Sequence, residues 1–141
     1  MYVTDIFIPD FTTSCGIPMA GSKISAGFPS PADDYMEMSL DLNKELVKNP
    51  AATFFVRVTG DSMTDAGIND GDVLIVDRSV EVKKGKIVIA VINGELVVKR
   101  LLRKGRQLLL MPENPKYPPI IVPEEADFLI WGVVISVIHQ F

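Results

Sequence analysis

"GKIVIAVINGELVVKRLL", Gly85 to Leu102, holds two runs of β-branched and aliphatic residues joined by Asn93-Gly94. A type I′ turn needs positive φ at both central positions, and Asn-Gly tolerates this well. The stretch therefore reads as a β-hairpin and sets the expectation for its surroundings. "TFFVRVTG", "DVLIVDRS", "QLLLMPEN", "IIVP" and "FLIWGVVISVIHQF" share its Val, Ile, Leu and Phe content. Gly, Asn, Pro or charged turns separate them. About seven short strands from Thr53 onward, with no helices between them, predict a mainly β fold, a small folded-over β-barrel or sandwich.

Upstream the pattern dissolves. From Met1 to near Met38, Gly, Pro, Ser and Thr are scattered without a sustained period of either strand or helix, so this part reads as an extended arm. "DLNKELVKNP" predicts one short helix: Asp41 can cap it, Leu42 and Leu46 share a face, and Asn49-Pro50 ends it. The expected division is an arm over 1–40 and a β domain over 41–141. Because the strand-forming runs lie after Thr53, the residues before Gly27 are expected to add little to stability.

The chain has 141 residues, 48% of them hydrophobic, enough for one domain with a core of its own. No apolar stretch approaches the roughly 20 residues that span a bilayer, and "MYVTDIFIPDFTTS" lacks the basic-then-apolar pattern of a secretory signal. The single cysteine, Cys15, excludes an internal disulfide framework and fits a reducing cytoplasm. A formal net charge of −4 argues against general attraction to nucleic acid. Lys83, Lys84, Lys86, Arg100, Arg103, Lys104 and Arg106 cluster in sequence and read as a solvated hairpin region.

The chemistry turns on "FFVRVTGDSMTDAGINDGDVLIVDRS", Phe54 to Ser79, where an apolar strand breaks at Gly60-Asp61-Ser62-Met63. A serine there is either a plain turn hydroxyl or a group presented for reaction. "DAGINDGD" is not a calcium loop, since setting Gly71 at the sixth position puts Ala66 and Ile68 where oxygen ligands are needed. His139 is the only histidine and lies in a terminal apolar strand, with no partner spaced for zinc. As a triad member it would have to meet Ser62, and a structural role suits it better. "GDSMTDAG" lacks the Gly-Lys-Ser/Thr ending of a phosphate loop. Strand alternation puts Lys99 on one face with Val97 and Leu101. A lysine buried on such a face loses proton affinity and can act as general base to a serine. The competing reading is a surface lysine leaning over the strand.

Taken in order, "GDSM", a Gly- and Asp-rich loop, "GDVLIVDRS" and "GKIVIAVINGELVVKRL" resemble the self-cleaving domain of the LexA/UmuD serine peptidase family. "AGFPSPADDYMEMSLDLNKELVKNPAATFFVRVTGDSM" and "WGVVISVI" extend the likeness from about Ala26 to about Ile138, closest to the UmuD branch. The resemblance implies that Ser62 is the nucleophile, Lys99 its general base, and Ala26–Gly27 the bond cut within the chain. Small residues on both sides of that bond suit a narrow cleft, and Phe28 and Pro29 supply an apolar anchor and a direction. Some members carry cysteine where this chain has Ala26. The strand-to-loop break leaves the backbone N–H groups of Ser62 and Met63 as candidates for an oxyanion hole.

The same resemblance implies a cytoplasmic protein of the bacterial SOS response to DNA damage, without cofactor or metal. A RecA-type recombinase filament on single-stranded DNA would stimulate the cut. The shortened homodimer would serve a UmuC-type Y-family translesion polymerase, with no membrane and no sequence-specific DNA contact of its own. A repressor of the LexA or phage kind would need a helix-turn-helix domain before the cut, and 26 residues precede Gly27, too few for one. A signal peptidase would need a hydrophobic anchor. A non-catalytic β interaction module is the remaining alternative.

Overall fold

A computed structural model describes residues 1–10, 16–20 and 36–141; Ala26 and Gly27, the expected cleavage site, lie outside them. In chain order the described residues form β1 (Tyr2–Phe7), β2 (Gly16–Ala20), β3 (Met36–Asp41), α1 (Leu42–Leu46) and β4 (Thr53–Thr59). There follow β5 (Val73–Asp77), β6 (Ile87–Ile92), β7 (Glu95–Lys104), β8 (Gln107–Met111), β9 (Ile120–Ile121) and β10 (Phe128–Ile138). The fold is mainly β, as the strand pattern predicts.

The hairpin that anchored the sequence reading is β6–β7. Asn93 and Gly94 take φ of 48° and 83°, the left-handed pair that a type I′ turn demands. Pairing then runs antiparallel from Ile92 opposite Glu95 to Ile87 opposite Arg100. The large sheet has the order β1-β4-β5-β10-β6-β7-β8-β9. Tyr2 of β1 also pairs with Val97 of β7, so six strands close into a barrel and β8 and β9 extend beyond it. Closure removes most of the unpaired edge that an open sheet would present.

Both faces of the β6–β7 hairpin are buried, which is why "IVIAVI" is continuously apolar rather than alternating. Ile89 and Val98 pack with Val56, Val58, Met63, Leu74 and Val76 in one cluster. On the other faces, Val88, Ala90, Val97 and Leu101 pack with Leu110 and Val133 in a second. The basic residues Lys83, Lys84, Lys86, Arg103, Lys104 and Arg106 are exposed, as expected of a solvated region. Arg100 departs from that expectation: it is half-buried and ion-paired with Glu113.

The chain divides into two compact units, residues 1–9 with 51–141, and residues 10–50. The second holds the β2–β3 ladder and α1, whose N-cap Asp41 accepts from the Asn43 N–H at 3.0 Å. The cap and the helix are those expected from "DLNKELVKNP".

Three strands, β1, β2 and β3, lie before Thr53, where the sequence pattern predicts none, and of these β1 belongs to the barrel. β1 pairs with β4 from Tyr2 opposite Thr59 to Phe7 opposite Phe55, yet its side chains are mostly exposed, so it carries no inward-facing alternation to read. Met1, only 4% exposed, joins the first core cluster. This alters the stability expectation for the residues before Gly27. A chain starting at Gly27, separated from the rest, loses a buried methionine worth roughly 1.5–3 kcal/mol together with a barrel-closing strand. Its thermal midpoint should fall clearly below that of the full chain; equal midpoints in calorimetry would mean that β1 contributes nothing.

Candidate active site

β4 ends at Thr59, and Gly60 turns the chain with φ of +102°. A Cβ at position 60 would lie 3.3 Å from the Met1 Cα, so glycine serves both the turn and the close approach of the terminus. Asp70 secures the turn from the far side of the loop, its Oδ1 accepting from the Gly60 N–H at 2.7 Å and from the Thr59 hydroxyl at 2.9 Å. The Gly60 bond, then the Thr59 bond, holds the Asp70 carboxyl below its ordinary range. The acidic loop is thus a hydrogen-bonded turn. Met63 is fully buried in the core, and its carbonyl accepts from Ala66 N–H at 3.1 Å and Ile68 N–H at 3.3 Å. An apolar plug directly after the serine fixes where the preceding hydroxyl sits.

Ser62 is fully buried and Lys99 is 6% exposed. Lys99 Nζ lies 2.6 Å from Ser62 Oγ. Lys99 shares its strand face with Val97 and Leu101, both in the second core cluster, as the alternation predicts. Burial pushes its amine below the usual lysine range, opposed in part by hydrogen bonding with the Met1 α-amine. That α-amine donates to Ser62 Oγ at 2.5 Å. Burial first, then the Lys99 charge, pushes it down to about 5. A neutral lysine at this distance can accept a hydroxyl proton, and a serine so deprotonated is a nucleophile.

A cavity of about 160 Å³ opens beside the pair, lined by Val97, Lys99, Tyr117, Pro118 and Ile120 among others. The Tyr117 ring centroid is 6.0 Å from Lys99 Nζ, and its hydroxyl donates to the Asp61 carboxylate. The segment "PENPKYPP", Pro112 to Pro119, brings Tyr117 here. Its four prolines mark a rigid excursion, but nothing in the sequence says where it lands, and the sequence reading missed it.

His139 is elsewhere in the hydrogen-bond network. Its Nδ1 meets Asp72 Oδ1 at 2.5 Å and its ring packs edge-on against Phe141. Asp72 is buried and also accepts from the Asn69 N–H at 2.7 Å. Among the described residues no group of three or more His, Cys, Asp or Glu could hold a metal ion, and no helix is long and apolar enough to cross a membrane.

The small β-barrel thus buries a serine hydroxyl against a strand-borne lysine. Residues 18–135 match the family described as Peptidase S24-like, and the chain belongs to that family. It is 49% identical over 123 residues to Protein SamA of Salmonella typhimurium, covering 87% of this chain and 85% of that protein. It is 49% identical over 119 residues to Protein MucA of Escherichia coli, covering 84% and 81%. The LexA repressor of Acidithiobacillus ferrooxidans is 43% identical over 127 residues, 88% of this chain and 61% of the repressor.

Proposed function

We propose that this chain is a self-cleaving serine endopeptidase that cuts its own Ala26–Gly27 bond. The observation that carries the proposal is the buried 2.6 Å contact between Lys99 Nζ and Ser62 Oγ. Lys99, neutral, takes the hydroxyl proton as Oγ attacks the Ala26 carbonyl carbon. The carbonyl oxygen becomes an oxyanion facing the N–H groups of Ser62 and Met63, for which no described residue acts as acceptor. The intermediate collapses with loss of the Gly27 nitrogen, which receives the proton held by Lys99. Water, deprotonated by the same amine, then hydrolyses the Ser62 ester, restoring the hydroxyl and freeing the Ala26 carboxylate. While the Met1 amine occupies the space beside Oγ, the arrangement is a resting one, and the scissile carbonyl must take that place.

Membership of the Peptidase S24-like family and the likeness to SamA, MucA and a LexA repressor support a role in the SOS response to DNA damage. In this reading a RecA-type filament on single-stranded DNA seats the arm over Ser62 and supplies no catalytic group. The cut homodimer then acts in the cytoplasm as accessory subunit of a UmuC-type translesion polymerase. Purified protein held at alkaline pH should yield a fragment whose N-terminal sequence begins Gly27-Phe28-Pro29. Protein that stays intact there, with or without filament, would overturn the proposal.

A further inference from the structure

The residues after β8 complete a ring of contacts around the serine and lysine. The Glu113 N–H donates to the Ser62 carbonyl at 2.8 Å, and the Glu113 carbonyl accepts from the Asp65 N–H at 2.8 Å. One residue's backbone therefore grips the serine turn on both sides. The Glu113 carboxylate in turn accepts from Arg100 Nε in an ion pair. Arg100 directly follows Lys99 in β7, and another of its guanidinium nitrogens donates to the Gly85 carbonyl at 2.6 Å. The circuit runs from Ser62 Oγ to Lys99 Nζ, along β7 to Arg100, across the ion pair to Glu113, and through its backbone to Ser62. Asn114 adds a tie to the same turn, its side-chain N–H donating to the Asp61 carbonyl at 2.9 Å.

We propose that Arg100 and Glu113 are positioning residues, which hold the Ser62 hydroxyl at proton-transfer distance from the Lys99 amine. The inference rests on the Ser–Lys reading above. Without the ion pair, the turn keeps its backbone bonds to Glu113, but Glu113 loses its side-chain tie to the strand that carries the lysine. It is then held to that strand through the β7–β8 ladder, which ends two residues before Glu113 with Met111 opposite Arg100. Displacements near 1 Å in a reacting pair cost about a hundredfold in rate. The ion pair is about a third exposed, with side chains 33% and 30% accessible, and pairs of that kind add little to stability. Its loss should therefore appear in the rate and not in the melting temperature. The proton affinity of Lys99 is set by burial and the Met1 amine, so the pH midpoint of the reaction should stay in place while the plateau falls.

The test compares the full-length wild type with Arg100→Ala, Glu113→Ala, the double variant and Glu113→Gln. Single-turnover self-cleavage is followed from about pH 6 to about pH 11, and Ser62 is labelled in parallel with a serine-reactive fluorophosphonate. Each alanine variant should lose about tenfold to a hundredfold in plateau rate and in labelling. The double variant should be no slower than the slower single, because both substitutions break one link. Glu113→Gln should keep most activity, since its side-chain oxygen still accepts from Arg100. Wild-type plateaus in both alanine variants would overturn the proposal, as would losses that add in the double variant and follow the melting temperature. A wild type that neither cuts nor labels would instead sink the Ser–Lys reading itself.

Discussion

Lys99→Ala and Lys99→Arg should each abolish self-cleavage at every pH. The wild-type rate should rise with pH until most Lys99 is deprotonated, with a midpoint below the roughly 10.4 of a free lysine. Burial is the dominant cause of that displacement. Alanine removes the proton acceptor, and arginine stays protonated throughout, so neither rescues the other's defect. The same burial makes a second, independent readout. The unfolded chain holds the lysine proton up to about pH 10.4, whereas the folded chain releases it earlier. The unfolded state therefore binds more protons between the two values, and this group's contribution to stability rises with pH across that window and is least below it. Lys99→Met should remove this slope and, by relieving a buried amine, be about 0.5–2 kcal/mol more stable while inactive. Single-turnover rates and thermal unfolding across the same pH series check both. A flat wild-type profile, or a Lys99→Arg protein that cuts normally, removes Lys99 as the base. His139 could then take that role only by leaving Asp72.

Ser62→Ala should leave the Ala26–Gly27 bond intact even with a saturating recombinase filament, under conditions where the filament accelerates the wild type at neutral pH. In the proposed function the filament acts by populating a docked arm, and such an action cannot replace a missing hydroxyl. Ser62→Cys is the informative companion. A thiol ionises near pH 8.5 and depends less on a neighbouring base, so slow cutting is expected with a weaker dependence on Lys99. Mass spectrometry of the incubated samples separates these outcomes. Appearance of the Gly27 fragment from Ser62→Ala would assign the chemistry to the filament or to a contaminating protease.

The two predictions draw on residues that differ in how far the sequence exposes them. Ser62 could be picked out because "VRVTGDSM" changes from strand to glycine turn at one place, and backbone preference is local. Lys99 could be placed on the face of Val97 and Leu101 because alternation along a strand is local too. Neither local preference reaches across the chain. That the two atoms stand 2.6 Å apart depends on β7 crossing next to the turn after β4. β1 bridges those two strands, pairing with both, and its exposed side chains gave no pattern to read.

Local chemistry therefore fixed the β6–β7 hairpin, its Asn93-Gly94 turn, the Asp41-capped helix, the seven runs after Thr53 and the two residues worth suspecting. Each follows from spacing, φ preference or capping within a few positions. Only the tertiary structure decided that the barrel closes through β1, that Met1 sits in the core with its amine on Ser62, that His139 is bound to Asp72, and that Glu113 links Arg100 to the serine turn. These are contacts between residues far apart in sequence. They arise from loop closure and shared burial, for which no single segment carries a signal.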